Sequence, residues 1–327
     1  MYEPVRASSI PLLPEILAVP ISAGFQGELM RTTKRFTPKV IARFIRQGRG
    51  EGTYEAFIPW HRVSRGDPAS SGRSHLLMWR GRPRELLSDE ELGLQSFASM
   101  LENLDDSLEQ FKLDPEDLPH PLTAYGEGDP SKLFPGTERL AIELGIKHPA
   151  LHEKGESALW RPTTDLVLVI KPAVGARHLL AIASKPLGWE ENKRTVELLR
   201  LEREYWVRRG ATWLLLTPAL YEESVVLTLR RIGAWAFGEQ VAEATLRTAA
   251  KVARDLEGRT VTQVLDSLGS IVGSVEVAQL ALWQAVWTGV LPIDLRRGWR
   301  PHVPLKFITP EQFVDLNPVA ARRSSWI

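Results

Sequence analysis

Asp165 opens an apolar run, DLVLVI over 165–170, and Lys185 closes the next one, HLLAIASK over 178–185. An apolar strand tolerates an ionised group only where that group meets solvent, a partner or a metal. Glu91, in the first turn of an earlier expected helix, is a third candidate. Hydrolysing a phosphodiester needs a cation to neutralise developing charge and acidify the attacking water. Magnesium takes oxygen ligands, a few carboxylates with water and phosphate. An Asp on one strand and an acid-or-amide-x-Lys on the next meets those needs. Strand alternation puts position 183 and Lys185 on one face, where Lys185 can orient the water or stabilise a pentacovalent phosphate. Position 183 should then supply the second strand ligand. It is Ala183, which has no side-chain oxygen.

Each of these residues also has a plain structural explanation. Ser88-x-x-Glu91 fits a capping box. Asp165 fits a strand-entry turn after Thr163-Thr164, and Lys185 the solvent end of a strand. Glu202, among Glu197, Arg200, Arg203 and Glu204, fits a solvated, salt-bridged helix face. By spacing alone the nuclease reading is one candidate among these. The histidines show no HxxxH spacing that would suggest zinc, and His148, followed by Pro149, reads as structural. No GxSxG, P-loop or GxGxxG is present.

The elements that must position these residues come next. Thr37-Pro38 reads as a helix start, with the helix over 39–47 ended by Gly48-Arg49-Gly50. Runs at 76–79 and 84–87 flank Gly81-Arg82-Pro83 as a hairpin. Ser88 opens a helix with Leu92, Leu94, Phe97, Ala98 and Leu101 on its buried face, and 138–144 is a short helix stopped by Gly145. Strands are predicted over 165–170, 178–185 and 213–217, with a long helix over 190–209 between the last two. That order predicts an α/β core with a mixed sheet. Farther on, helices over 261–268 and 275–288 precede a ribbon of 291–295 and 303–308 tipped by Arg296, Arg297 and Arg300. Two helices and a basic-tipped hairpin suggest a winged-helix module.

The chain has 327 residues, so two domains are the default expectation. Hydrophobic residues at 43% and charged ones at 25% are ordinary globular values with enough apolar material for a core. With a net charge of +1, DNA contact must come from local clusters. The absence of cysteine excludes disulfides, thiolate zinc sites and cysteine nucleophiles, and suits a cytoplasmic protein. No apolar run approaches the roughly 20 residues of a membrane span. Pro11, Pro14 and Pro20 interrupt the first apolar stretch, which argues against a signal peptide.

Several motifs come in order: Gln47-Gly-Arg-Gly50, Ile58-Pro-Trp60, Ser70-Ser-Gly-Arg-Ser-His75, Leu86-Leu-Ser-Asp-x-Glu-Leu92 and Glu109-Gln-Phe111. Gly145-Ile-Lys-His-Pro149, Thr164-Asp165, Ala181-Ile-x-x-Lys-Pro186 and Leu201-Glu-Arg-x-Tyr-Trp206 follow. From about 38 to 217 the chain resembles the TnsA family, endonuclease subunits of heteromeric cut-and-paste transposases. Beyond 239 the resemblance rests on architecture. Residues 1–37, mixing Pro, Ala and Leu without a clean period, read as an extension. The resemblance implies a restriction-endonuclease-like catalytic domain over 38–238 and a winged-helix domain over 239–327. It implies cutting of the non-transferred strand at the 5′ side of transposon ends, with magnesium as cofactor and manganese as a substitute. The implied partners are double-stranded DNA, a TnsB-like transposase and a TnsC-like ATPase, with no membrane. By the same resemblance Glu91 and Asp165 are metal-binding carboxylates, Lys185 is the catalytic lysine and Glu202 is a further acid facing the metal.

The departure is Ala183, where the family pattern has Gln. Three explanations stand: the position is dispensable, the change is a deliberate silencing substitution, or the chain is an assembly subunit that binds DNA and partners without cutting. The expected DNA contacts are Arg43, Arg46 and Arg49, then Arg73 and Arg82 around the hairpin, then Arg296, Arg297 and Arg300 at the wing. Such phosphate contacts position a duplex without reading sequence. The wing arginines equally suit an acidic protein partner.

Overall fold

The structure is a computed structural model and describes residues 35–70 and 73–326. Apart from 35–37, the extension expected over 1–37 lies outside the described residues.

Ten strands and nine α-helices are found among the described residues. In chain order the first are α1 (Pro38–Arg46), a hairpin of β1 (His75–Trp79) and β2 (Arg82–Leu86), α2 (Asp89–Ser99) and β3 (Leu104–Lys112). Two small hairpins flank α3 (Thr137–Leu144): β4 (Leu118–Pro119) with β5 (Leu133–Phe134), and β6 (Ala150–Glu153) with β7 (Glu156–Leu159). Then come β8 (Thr163–Ile170), β9 (His178–Ser184), α4 (Lys193–Val207), β10 (Thr212–Leu216) and α5 (Glu223–Ala236). The chain continues through α6 (Glu243–Asp255), α7 (Val261–Val272), α8 (Val275–Trp287) and α9 (Pro310–Asp315).

The predicted mixed sheet is present, in the order β10-β9-β8-β3. β8 runs antiparallel to both β3 and β9, and α4 carries the chain over to β10, parallel to β9. The predicted helix over 190–209 begins later, because the Asn192 side chain caps the N–H groups of Arg194 and Thr195 and fixes the start at Lys193. The predicted hairpin turn moves as well. Arg80 and Gly81 both have positive φ (47° and 77°), as a two-residue turn of this twist requires, so Arg82 and Pro83 belong to the strand.

Each sheet face carries its own core. On the α4 side, Val167, Val169, Leu179, Ala181 and Ala183 pack with Leu199, Leu201, Tyr205 and Trp206. On the other side, Leu166, Leu168, Leu180 and Ile182 pack with Phe97 of α2 and Leu229 and Ile232 of α5. That second core runs on through Ala249, Leu265, Leu282 and Trp283 without a break near position 238.

β3 was not predicted, because it buries Asp106, Ser107, Glu109 and Gln110 instead of alternating apolar with polar. The hairpin supplies their partners. Arg82 grips Glu109 through two hydrogen bonds of 2.6 and 2.7 Å, and Arg82 and Arg84 both donate to the carbonyl of Ser107.

The expected ribbon near the wing is not a pair of strands. It reduces to isolated bridges, Ile293↔Phe307 and Thr260↔Pro304, with Asp294 N–H donating to Lys306 O at 2.8 Å. Pro292, Pro301 and Pro304 bring no N–H to a ladder, and Asp294 caps a 3₁₀ turn at Leu295–Arg297. α7 and α8 meet at a bend of 112°.

Beyond α9 the chain returns to the sheet. Asn317 donates to Phe97 O at 2.8 Å, and Ser325 N–H donates to Leu215 O at 2.8 Å along the outer edge of β10. Trp326 stacks on Trp189 and meets Trp213 edge-on, each with ring centroids 5.5 Å apart. Among the described residues no single helix is long and apolar enough to cross a membrane.

Candidate active site

β8 begins at Thr163 and β9 ends at Ser184, so Asp165 and Lys185 come to the same end of the sheet. Oδ2 of Asp165 accepts the Ser184 N–H at 2.7 Å and lies 3.6 Å from Nζ of Lys185. Lys185 Nζ also donates to Ser184 O at 2.9 Å. Asp165 first, then Glu202 and Glu91, hold the Lys185 ammonium pKa above its ordinary value against the opposing effect of burial.

Glu91 reaches this corner from the first turn of α2. Its N–H donates to Ser88 Oγ at 3.2 Å, and its Oε2 accepts the Leu87 N–H at 2.9 Å. Ser88 therefore caps α2, but the expected box is not closed, since the Glu91 carboxyl takes the Leu87 N–H and not that of Ser88. Burial, then the negative charge of Asp165, push the Glu91 carboxyl up to about 8, while the hydrogen bond from Leu87 and the charge of Lys185 oppose them. The three candidates from the sequence are thus neighbours electrostatically.

Glu202 sits differently. It is buried in α4, and its Oε1 accepts from the Thr164 hydroxyl at 2.8 Å and from Trp213 Nε1 at 3.3 Å. Trp206 Nε1 in turn donates to Thr164 Oγ1 at 2.8 Å. Burial, then Asp165, raise the Glu202 carboxyl to about 7. The solvated-face explanation for Glu202 is therefore corrected. The metal role expected for it is not matched by a ready cluster either: among the described residues, no three acid, His or Cys side chains converge to hold an ion. Glu91 and Asp165 are oxygen donors of the chemical type that a hard cation takes. Two carboxylates are the protein share that magnesium usually takes, the rest being water and phosphate.

Ala183 is 1% exposed and packs in the core on the α4 side, so the position is filled by apolar contact. Sequence reasoning missed Gln110, a buried amide on β3 whose Oε1 accepts the Thr163 hydroxyl at 3.2 Å. It also missed Thr164, Trp206 and Trp213, which fasten Glu202. Glu109-Gln-Phe111 stood out in the sequence as a motif, but nothing there attached it to the carboxylates.

The arginines expected at DNA divide by burial. Arg49 is interior, bonded to Asp67 at 2.6 Å and to Trp60 O at 3.1 Å, with its guanidinium 3.6 Å from the Phe44 ring centroid. Arg82 is interior on Glu109. These two are corrected to structural roles, since a buried guanidinium already paired with a carboxylate cannot meet a phosphate. Arg43 donates to Gly66 O at 3.0 Å, and Arg46 is exposed. Arg73 is exposed and ion-paired with Asp89 in the first turn of α2, where His75 and Arg230 also converge. Arg296 is drawn to Asp294 and Glu222, whereas Arg297 and Arg300 are exposed.

A mixed α/β protein with an acidic pair and a lysine at one end of its sheet is the class that the fold and site define. No protein-family model matches the chain. Among curated proteins it is similar to the transposon Tn7 transposition protein TnsA of Escherichia coli, with 32% identity over 191 residues. The match covers 58% of this chain and 60% of that protein, so it spans less than two thirds of the relative's length.

Proposed function

We propose that the chain is a strand-cutting subunit of a transposition machinery, hydrolysing DNA phosphodiesters with a bound divalent cation. The observation that carries this is the corner where Asp165 and Lys185, on adjacent strands, stand 3.6 Å apart beside the raised carboxyl of Glu91. Two carboxylates that resist joint ionisation are what a divalent cation relieves, replacing the proton on the more strained one. Glu91 and Asp165 would hold magnesium, or manganese in its place, which supplies an acidified water and neutralises charge on the phosphate.

The protein's own part is positional. Asp165 is oriented by the Ser184 N–H, and Glu91 by the Leu87 N–H. Lys185, kept protonated by its acidic neighbours, acts as a charge donor to the phosphate and not as a base. Glu202 backs the site through Thr164 as a buried charge-balancing acid.

The finer assignments follow the same reading. Three antiparallel strands and a helical crossover to a parallel fourth, with Asp and Lys on the middle two, support a restriction-endonuclease-like core. The order α6, bridge at Thr260, α7, α8, bridge at Ile293 and return at Phe307 supports a winged-helix arrangement. The DNA substrate is a transposon end, cut on the non-transferred strand at its 5′ side, with TnsB-like and TnsC-like proteins as partners.

The test is strand-specific nicking of end DNA by the chain with those partners and Mg²⁺. Nicking that disappears in D165N and in K185A supports the proposal. Nicking that persists in both overturns it.

A further inference from the structure

β1 is the outer strand of its hairpin, and among the described residues no other strand pairs with it. Its register decides which peptide groups are left over. Leu76 stands opposite Glu85, and Met78 opposite Pro83. Pro83 has no N–H to give, and the Glu85 N–H turns away from β1 to Glu109 Oε1 at 3.1 Å. Both are therefore non-hydrogen-bonded pairs of an antiparallel ladder, so Leu76 and Met78 aim their N–H and C=O groups at the free edge. Their side chains are 64% and 63% exposed. A strand edge that is both unpaired and apolar is a template for one more strand.

The space beside the strand is bounded. A groove of about 370 Å³ lies between β1, α2 and α5, lined by Leu77, Leu92, Leu229, Gly233 and Phe237. His75 and Arg230 line it too, and with Arg73 they converge on Asp89. His75 Nε2 is 2.8 Å and the Arg230 guanidinium 3.3 Å from Asp89 Oδ1, and Arg73 pairs with Oδ2. Two guanidinium groups and an imidazole share one carboxylate, which leaves positive charge over at the His75 end of β1.

We infer that the free edge of β1 receives an extended segment of a partner protein, apolar at alternate positions and bearing a carboxylate that reaches Arg230 and Arg73. Backbone hydrogen bonds to Leu76 and Met78 hold the segment, and the groove selects its side chains, the division of labour in strand addition. Strand alternation sends every second side chain of the segment to the groove. A duplex suits this surface less well, since it brings phosphates for the arginines but nothing to cover Leu76 and Met78. None of these residues belongs to the acidic corner, so the surface and the metal-dependent chemistry are separable by experiment.

The test selects peptides from a random phage-displayed library against the full chain and measures the synthetic consensus by fluorescence anisotropy. The expected consensus alternates apolar residues and carries Asp or Glu near one end. M78P removes an outward N–H and no ladder bond, because Met78 faces Pro83. It should raise the peptide dissociation constant about tenfold, the scale of a lost backbone hydrogen bond. N-methylation along the peptide should weaken binding at every second residue, where the amide faces β1, and spare the others. R230E should weaken the acidic peptide and favour the same peptide with its acid changed to lysine. The absence of any enriched peptide overturns the proposal, and so does a peptide that binds M78P like wild type and shows no alternation on N-methylation. A concentration-dependent dimer that M78P abolishes overturns it by making a second copy the occupant. A duplex affinity that R230E lowers, with the peptide unaffected, overturns it by giving the arginines to DNA. Should M78P fail to fold, the N-methylation series on the unaltered protein decides alone.

Discussion

Ser184 gives its backbone N–H to Oδ2 of Asp165, the same oxygen that faces Nζ of Lys185. One atom therefore receives the end of β9 twice, once through main chain and once through a charged side chain. The residue between Ala183 and Lys185 thus orients the acid by its peptide group, whatever its side chain.

Asp165→Asn keeps that peptide hydrogen bond and removes the charge. Strand cutting is expected to fall at least about a hundredfold, the scale for losing a group that stabilises charge in the transition state. A nicking assay at saturating Mg²⁺ reads this, and near-normal rates would remove Asp165 from the chemistry.

The raised carboxyl of Glu91 makes stability fall with pH. A folded value of about 8 lies above the ordinary 4.5, so the folded protein keeps a proton that the unfolded chain has released between those values. Its stabilising contribution is complete below about 4.5 and declines as pH rises to about 8. Thermal melts without divalent ion should show E91Q gaining on wild type from pH 5 to 8. A difference that is flat over that window would contradict the buried, like-charge environment.

Glu202→Ala leaves the Thr164 hydroxyl and the Trp213 indole N–H without their acceptor. The expected destabilisation is about 1–3 kcal/mol, the cost of an unsatisfied buried polar group. Glu202→Gln keeps an accepting oxygen, so urea unfolding should place it nearer wild type. Equal losses would mean that the charge, and not the hydrogen-bond pattern, holds α4 to β8.

Ala183→Gln forces a longer polar side chain into the core beneath α4. Overpacking of this kind costs about 1–3 kcal/mol. The unfolding midpoint should drop without a gain in nicking. A clear gain would show that the position was limiting.

Arg82 and Arg297 separate structure from contact. R82M removes the two-pronged partner of the buried Glu109, leaving it the Glu85 N–H and the more distant Arg84, and is expected to cost about 3–5 kcal/mol, the scale for breaking one side of a buried ion pair. R297A leaves stability alone and lowers duplex affinity, with the slope of log affinity against log salt falling by about one unit. Titration of end DNA at several salt concentrations tests the second half.

What could be read from the sequence follows from what each element buries. β8, β9 and β10 carry apolar runs at 166–170, 179–183 and 213–216, and these runs are what the sequence makes plain. β3 buries acids and amides against arginines of a hairpin far away in sequence, and no local period reveals such a pairing. The same blindness hid Gln110 and placed Arg49 and Arg82 at DNA, since a guanidinium looks alike on paper whether it meets a phosphate or a buried carboxylate. Asp165, Lys185 and Glu91 were legible because strand ends and a helix cap are local features. Glu202 was half legible: its place on α4 could be foreseen, but not its turn towards Thr164 and Trp213. The ribbon expected near Arg296 failed because three prolines interrupt it, a signal that was present in the letters.

The strip from Ser324 to Trp326 along β10 bears on when the molecule becomes complete. Leu215 N–H donates to Ser324 Oγ at 3.0 Å across 109 positions of sequence, and the Trp326 ring settles against Trp213, whose indole N–H holds Glu202. Contacts so distant in sequence close long loops and make folding slow, because that loop entropy is spent before the contacts reward it. A chain emerging from the ribosome can pair β8 with β9 while β10 still has a bare edge. The backing of the acidic corner is finished only when this strip arrives, so assembly order itself delays full order at the site until the α5 to α9 region has folded.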